Sequence, residues 1–318
     1  MKIPHPTLTW LLENGTPAVR YHARLLGGDK KADRGELLSD SLVKQSIALL
    51  KQWDAEILER HNKPDLLIHR LSFLADMGVQ ADDPGLDSVV KRILKQVNQQ
   101  GIPEIVIRIP PAFGGSGRPE RAWIICDFPV ILYGLLGLGV KNNTTAQAVK
   151  TLASLVDDNG YRCLGSFPRF RGPGRRDDIC PIACLYAAKA LSLDKKAATG
   201  NAARRAVEAL LGHWADRKKK KYYLFGIGTD FLKLKFPLVW YNLLHVLDTV
   251  SRFPSFHKDK RLREMTDVLL SKADKDLRFK PESVYVPFKG TDFADKKRLS
   301  PTVTMTAWRI LSRLGRIP

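Results

Sequence analysis

A proline that opens an apolar segment recurs along most of the chain, and this repeat limits the possible folds more than any other feature. The five openings are Pro64, Pro129, Pro181, Pro237 and Pro301. Proline is favoured in the first turn of a helix, where its missing N–H has no intrahelical partner in any case. The segments that follow, such as ILYGLLGLG and LYAAKALSL, are apolar almost all round, which is typical of buried helices.

A second kind of helix follows several of these apolar segments. The stretches AVKTLASLV, RRAVEALLGHW and REMTDVLLSKA each carry a single apolar stripe. Two helices per repeat, with openings 52 to 65 residues apart, indicate an array of helical hairpins. Because helices that are apolar on all sides need a surrounding shell, we expect the array to close into a ring. The predicted fold is all-α: an α/α toroid of repeated helical hairpins with long irregular loops.

The first 62 residues are predicted to form N-terminal helices that precede the repeats. Thr16 and Pro17 suit an N-cap and a first helical turn, and Gly27-Gly28 ends that helix. Apolar residues at helical spacing predict a further helix over residues 41–58. We therefore expect one domain over residues 1–318, with hairpin repeats in residues 63–318.

The repeated openings and the D-x-x-G-aromatic turn at residues 157–161 resemble the α/α-toroid group that holds squalene–hopene cyclases and protein prenyltransferase β subunits. The opening TWLLENGTPAVRYHARLLGGD looks like an uncharacterised, basic branch of that group. The resemblance covers most of the chain and implies the toroid fold. It implies less about activity, since fold and function are separable.

The motifs of both activities are incomplete here. Squalene–hopene cyclases protonate their substrate with an acidic D-x-D-D motif, of which only Asp177 and Asp178 are matched, after two arginines. Protein prenyltransferases hold zinc through Asp, Cys and His, but the four cysteines have no recognisable ligand spacing. We therefore expect neither a metal nor a cofactor. The cysteines are Cys126, Cys163, Cys180 and Cys184.

The chain is strongly basic, with 52 Lys and Arg against 33 Asp and Glu and a net charge of +19. Such a charge attracts polyanions such as nucleic acid. No apolar run is long enough to span a bilayer, so no membrane association is expected. Neither a secretion signal nor a disulfide framework is recognisable, which favours a reducing, cytoplasmic location.

Three basic clusters in loops between repeats favour a phosphate backbone as the partner. The residues predicted to bind nucleic acid, preferably DNA, are Arg162, Arg169, Arg171, Arg175, Arg176, Lys218, Lys219, Lys220, Lys233, Lys235 and Arg298. Trp123 and Phe170 lie among arginines and are predicted to stack on bases. The alternative for each cluster is solvated charge at helix ends.

Carboxylates precede two of the apolar helices and are the candidates for catalysis. They are Asp127, before Pro129, and Asp177 and Asp178, before Pro181. If the repeats superimpose, these acids approach one end of a common cavity, where their pKa values would be pushed apart. The simpler interpretation is that each caps a helix N-terminus.

Three functions remain open at this stage. The first is a DNA-binding enzyme that acts on an extruded nucleotide through an Asp carboxylate, as in base excision by a DNA glycosylase-type hydrolase. The second is a cyclase- or transferase-like enzyme that acts on a small anionic substrate such as a diphosphate. The third is a non-catalytic nucleic-acid-binding scaffold. The sequence does not predict the oligomeric state.

Overall fold

The structure is a computed structural model that describes residues 4–172, 178–219 and 231–316. Over these ranges the chain forms fourteen α-helices and one two-stranded sheet, so the prediction of an all-α fold is confirmed. The chain divides into two compact units. One comprises Met1–Gln45 with Gly228–Pro318, and the other comprises Ser46–Ile227. Ring closure and the single-domain assignment stay predictions.

The unit Ser46–Ile227 holds most of the hairpin repeats. Its elements are α5 (Leu67–Asp76), α6 (Asp87–Lys95), β1 (Ile105–Arg108), β2 (Pro119–Ala122), α7 (Phe128–Gly137), α8 (Asn143–Ser154), α9 (Pro181–Leu191), α10 (Lys195–Ala198) and α11 (Asn201–Asp216). Helix α7 packs against both α5 and α9, and α11 packs against α9. Every residue of α9 is buried, whereas α8 and α11 bury one stripe each. The predicted division into buried and amphipathic helices is confirmed here.

Two small residues allow α5 and α7 to approach closely. A Cβ at Gly134 would lie 2.5 Å from Cγ of Leu71, and one at Gly137 would lie 2.5 Å from Cβ of Ala75. Both distances are below van der Waals contact, so any larger residue would push the helices apart. The glycines in the YGLLGLG segment thus set the spacing of the two buried helices.

A buried ion pair joins α5, α7 and α9. Lys189 Nζ lies 2.8 Å from Oδ2 of Asp76, and neither side chain is more than 6% exposed. The Tyr133 hydroxyl donates to Asp76 Oδ1 at 2.5 Å. Lys189 Nζ also lies 4.5 Å from the centre of the Tyr133 ring. One residue from each helix therefore takes part in a single polar contact, which fixes the register of all three helices.

The other unit contains α1 (His5–Asn14), α2 (Pro17–Leu26), α3 (Arg34–Ser39), α12 (Leu243–Val250), α13 (Lys260–Leu270) and α14 (Pro301–Leu314). The Thr16 side chain accepts a hydrogen bond from the Val19 N–H, as predicted for the start of α2. Helix α12 is entirely buried and packs against α13 and α14. Helix α14 begins at its predicted proline.

Two predicted openings are wrong. Pro64 lies three residues before α5, which begins at Leu67 with Leu66 in the N-cap position. Pro237 does not start a helix, because Asn242 caps α12 five residues later through its side chain, which accepts from the His245 N–H at 3.1 Å. Asparagine is among the best N-cap residues, and here it overrides the proline signal.

The prediction of a helix over residues 41–58 is also wrong at its C-terminal end. Helix α4 (Ser41–Leu50) ends at Leu50, and a short 3₁₀ helix follows at Trp53–Ala55. Leu58 instead pairs with β1: its N–H donates to the Val106 carbonyl and its carbonyl accepts from the Arg108 N–H, both at 2.9 Å. The loop over residues 101–123 contains the β1–β2 hairpin, which competes for this segment.

We expect the buried ion pair to dominate the response of this unit to mutation. Lys189→Met leaves the Asp76 carboxylate buried without its cation, which should lower the free energy of unfolding by about 3–5 kcal/mol. Denaturant unfolding measures this. The double variant Asp76→Asn/Lys189→Met should recover most of the loss, because no buried charge remains. A loss below about 1 kcal/mol in Lys189→Met, typical of a surface pair, would contradict this role.

Candidate functional site

The segment that leads into α5 is positioned by the hairpin. Leu58 is hydrogen-bonded to β1 through both its N–H and its carbonyl. Arg108 Nη1 lies 2.6 Å from Oε1 of Glu59. The Ile105 and Ile107 side chains of β1 are buried while Val106 and Arg108 are half-exposed, the alternation of a strand with one covered face. This pairing brings residues 56–61 to the N-terminal ends of the buried helices.

His61 and Asp127 form a dyad at that place. Nδ1 of His61 lies 2.5 Å from Oδ1 of Asp127. The carboxylate is 1% exposed, whereas the imidazole is 20% exposed. With Nδ1–H donating to the carboxylate, Nε2 is left as the basic nitrogen. A buried carboxylate that orients a partly exposed imidazole is the arrangement used in general base catalysis.

The dyad argues against a simple capping role for Asp127. Asp127 occupies the N-cap position of α7, but its side chain caps no backbone N–H. Its Oδ2 is buried and makes no hydrogen bond within the described part of the chain. The carboxylate therefore serves His61 rather than the end of the helix.

A second histidine holds the backbone of the first. Nε2 of His69 lies 2.7 Å from the His61 carbonyl and must carry the proton, since a carbonyl only accepts. Nδ1 is thus the acceptor facing the Tyr186 hydroxyl at 3.5 Å. Burial lowers the pKa of His69 to about 4, so the ring is neutral at pH 7. His69 is a packed core residue, as the sequence suggested, and it also positions His61.

Glu56 lies close enough to interact with this dyad and caps α5. Its two carboxylate oxygens accept from the Leu67 N–H at 3.1 and 3.0 Å. Burial raises the pKa of Glu56 to about 7, although the hydrogen bond from Leu67 acts in the opposite direction. The charges of Asp65 and Asp127 add to the increase. Glu56 is therefore a carboxyl group that titrates near neutral pH beside the dyad.

Asp178 lines a separate cavity of about 540 Å³ between the connection that precedes α9 and one face of α11. The other lining residues are Asp158, Asn159, Ile179, Pro181, Arg204, Arg205, Glu208, Ala209, Gly212 and His213. They do not include Asp127, so the described acids do not share one cavity as predicted. Arg205 pairs with Asp158 at 3.0 Å. The volume is within the range of small-molecule pockets.

The cavity carries a mixed charge. Three carboxylates and two guanidinium groups line it, and burial lowers the pKa of His213 to about 4, which keeps that ring neutral. A Cβ added at Gly212 would meet no atom within 4 Å, so α11 leaves open space there. The site suits a polar ligand that both donates and accepts hydrogen bonds more than it suits a highly charged anion.

Two loops that are distant in the sequence pack together and form what we call the arginine surface: Arg118, Arg169 and Arg171, with Phe113. The Arg171 N–H and Nε–H donate to the Phe113 and Ala112 carbonyls at 3.2 Å. Gly114 has φ +87°, and a Cβ there would lie 2.0 Å from the Arg169 carbonyl oxygen. All three arginines are exposed.

The arginine surface retains a net positive charge. One carboxylate, Glu120 on β2, lies two residues after Arg118 and accepts a hydrogen bond from Ser116. Phe113 lies in a short 3₁₀ helix and is 38% exposed. Exposed guanidinium groups around an exposed ring suit phosphate contact and base stacking.

The remaining predicted basic residues have varied surroundings. Arg162 pairs with Asp157 at 2.7 Å, and Lys218 and Lys219 are exposed after α11. In the unit that includes Gly228–Pro318, Lys235 Nζ lies 3.8 Å from the centre of the Tyr285 ring. Lys233 is half-buried. Arg298 is 85% exposed, pairs with Asp295 and lines an open depression of about 770 Å³.

The two rings predicted to stack on bases are less exposed than Phe113. Trp123 is 7% exposed, and its ring packs edge-on against Phe128 at 6.0 Å between centres. Phe170 is half-buried. Base stacking by either ring stays a prediction, and Phe113 is the ring that sequence reasoning missed. Arg175, Arg176, Asp177 and Lys220 lie outside the described residues.

His61 was also missed, although the sequence holds a signal for it. His61 precedes Pro64 by three residues, as Asp178 precedes Pro181, and Asp127 precedes Pro129 by two. A titratable residue therefore stands before each of these three openings. Over the described ranges, no group of three or more His, Cys, Asp or Glu side chains is arranged to hold a metal ion. None of the helices in those ranges combines the length and apolarity that a bilayer crossing requires.

Comparison with protein-family models gives no match for this chain. Comparison with curated proteins gives no significant match either. The toroid resemblance therefore stays a prediction, and functional inference rests on the geometry of the residues above.

We expect Glu56 to make stability depend on pH. Its folded pKa, about 7, is raised above the ordinary 4.5, so the free energy of unfolding falls as pH rises from about 4.5 to 7. Glu56→Gln keeps an acceptor for the Leu67 N–H and removes this titration. The free energy of unfolding of the variant should exceed that of wild type by about 1–2 kcal/mol above pH 7, after discounting for the partial exposure of Glu56. The difference should be small at pH 4.5.

The comparison needs urea unfolding of both proteins at several pH values. The contributions of His69 and His213 to the free energy of unfolding change in the opposite direction. They are lost as pH falls from 6.5 to about 4. Their contribution is common to both proteins and cancels in the difference. Parallel stability curves for wild type and Glu56→Gln would show that Glu56 does not titrate in this window.

Gly212 should tolerate a side chain. Gly212→Ala removes a flexible residue from the interior of α11, and the new Cβ meets no neighbour. We expect the free energy of unfolding to rise by about 0.5–1 kcal/mol. Gly134→Ala is the contrasting control, because its Cβ would meet Leu71. A loss of stability in Gly212→Ala would mean that the cavity is not open at this position.

Proposed function

We propose that this chain is a DNA-acting hydrolase, with base excision on an extruded nucleotide as the favoured reaction. The observation that carries the proposal is the dyad, in which Asp127 is buried and holds His61 at 2.5 Å. His61 is the general base, and Asp127 fixes the tautomer that leaves Nε2 basic. This revises the expected mechanism, because a carboxylate that is 1% exposed acts through its histidine rather than on the substrate.

The reaction needs one activated water. Nε2 of His61 accepts a proton from water, and the resulting hydroxide adds to the anomeric carbon of the sugar while the glycosidic bond breaks. The bonding electrons leave with the base, which finally takes up the proton that His61 removed from the water. Asp127 stabilises the imidazolium that forms. No metal ion is required for this chemistry.

The arginine surface supports DNA as the substrate. It is built on the hairpin whose β1 strand also holds Leu58, three residues before His61. Phosphate contacts on this surface would therefore be made on the same structural element that positions the general base. A net charge of +19 adds attraction for any polyanion.

The 540 Å³ cavity is separate from this reaction, because neither His61 nor Asp127 lines it. Its lining offers acceptors on Asp178 and Glu208 and donors on Arg204, which suits a polar ligand of low net charge. A diphosphate fits less well, because three carboxylates face two guanidinium groups, one of which already pairs with Asp158. The lining charge thus weighs against the small anionic substrate.

The first experiment measures DNA binding across a salt series. Wild type should bind with an affinity that falls steeply with salt, because each phosphate contact releases counterions. Arg118→Ala/Arg169→Ala should reduce the slope of log K against log salt by about 2. Lys195→Ala/Lys196→Ala removes two exposed charges from α10 and is the matched control, with a smaller effect expected. Salt-independent or absent binding would overturn the choice of substrate.

The second experiment tests the chemistry on modified and unmodified duplexes, with alkali to reveal abasic sites. His61→Ala and Asp127→Asn should each lower product formation by about 10²–10⁴-fold while binding is retained. Gly212→Trp should fill the separate cavity and leave product formation unchanged, because the dyad does not line it. Binding without product on any substrate would favour the non-catalytic scaffold. If neither DNA binding nor product is found, a small-molecule substrate is favoured instead.

A further inference from the structure

All four cysteines of the chain lie together, although their spacing follows no motif. Cys126 precedes α7, Cys163 lies in the connection after α8, and Cys180 and Cys184 stand at the start of α9. Cys126 and Cys163 are partly buried, while Cys180 and Cys184 are fully buried. The function proposed above uses none of these thiols.

Two short backbone pairings bring the cysteines together. Ile124 bridges Gly165 in antiparallel register, and the Ile125 N–H donates to the Leu164 carbonyl at 2.9 Å. The next opposed pair in that register is Cys126 and Cys163. Cross-strand neighbours of this kind have Cβ atoms about 4.5–5.5 Å apart.

The second pairing adds Cys180. Arg162 bridges Ile179, and the Cys180 N–H donates to the Tyr161 carbonyl at 2.8 Å. The Cys180 side chain is in hydrogen-bond contact with Cys126 and with Cys163. Cys184 has a different partner, since its Sγ accepts from the Tyr161 N–H at 3.3 Å. Cys180 is therefore the buried centre of a three-thiol cluster.

We propose that Cys126 and Cys180 are a redox-active dithiol that takes hydroperoxides as its oxidant. The sulfur of Cys126, the less buried residue of the pair, attacks the peroxide, whose O–O bond breaks to give Cys126 sulfenic acid and an alcohol, or water from hydrogen peroxide. The Cys180 thiol then attacks the sulfenic sulfur and releases water. Two thiols are oxidised to one disulfide, and one peroxide is reduced.

The environment of Cys126 determines the expected rate of oxidation of its thiol. The hydrogen bond from Cys180 favours the Cys126 thiolate, but burial and the charges of Cys163 and Asp127 outweigh it and raise the pKa of Cys126. Since the thiolate is the nucleophile, oxidation should be slow at neutral pH and faster at pH 9. The disulfide would form next to Asp127 and two residues after Asp178.

The test is peroxide treatment of the full chain followed by non-reducing peptide mapping with mass spectrometry. We expect a peptide in which Cys126 is linked to Cys180, formed within one chain and removed by dithiothreitol. Cys126→Ser and Cys180→Ser should each abolish it. Cys184→Ser is the matched control, since Cys184 bonds to the Tyr161 backbone instead, and it should retain the link.

Two results would overturn the proposal. One is that all four thiols stay free at a peroxide dose that fully oxidises dithiothreitol. The other is that every disulfide found joins two chains or leaves out Cys126 or Cys180. Because wild type is mapped directly, a Ser variant that fails to fold leaves the test decisive. The readout is chemical and does not depend on any DNA activity.

Discussion

The ion pair between Asp76 and Lys189 holds the buried helices of one unit in register. An ammonium group that is fully removed from water is tolerated only beside a compensating carboxylate. A shift of α9 along α5 would therefore leave both charges buried and unpaired. Tyr133 on α7 completes the contact. The glycines of α7 allow the helices to come close enough for these bonds to form. The N-termini of all three helices are thereby fixed near one another.

The chemistry of the unit depends on that arrangement. Asp127 and Asp178 are carried by the segments that lead into α7 and α9, and His61 by the segment that leads into α5. Burial separates their roles: Asp127 is withdrawn from solvent and orients His61, whereas Asp178 faces an open cavity. The hairpin then links the dyad to the arginine surface through Leu58. Base, cavity and cationic surface all belong to one compact unit.

The places where sequence reasoning failed share a physical cause, which is competition from distant partners. The apolar spacing in residues 41–58 is helical, but β1 offers backbone bonds to Leu58 that a helix cannot match there. Pro237 resembles the other openings, yet Asn242 supplies a better cap. The alternation in Ile105–Arg108 predicts a strand by itself and was hidden by the surrounding prolines and glycines. The cysteines have no local motif because they meet only through loop pairing.

Local patterning in the sequence was sufficient to determine the helical class, the buried and amphipathic helices, most helix starts and the basic charge. These properties depend on residues within a few turns of one another, so they can be predicted without knowledge of the tertiary structure. Only the tertiary structure decided that Asp127 serves His61, that Asp178 lies elsewhere, that three arginines gather from two loops, and that the cysteines meet from three separate segments. Burial and loop docking are long-range effects, and no local spacing encodes them.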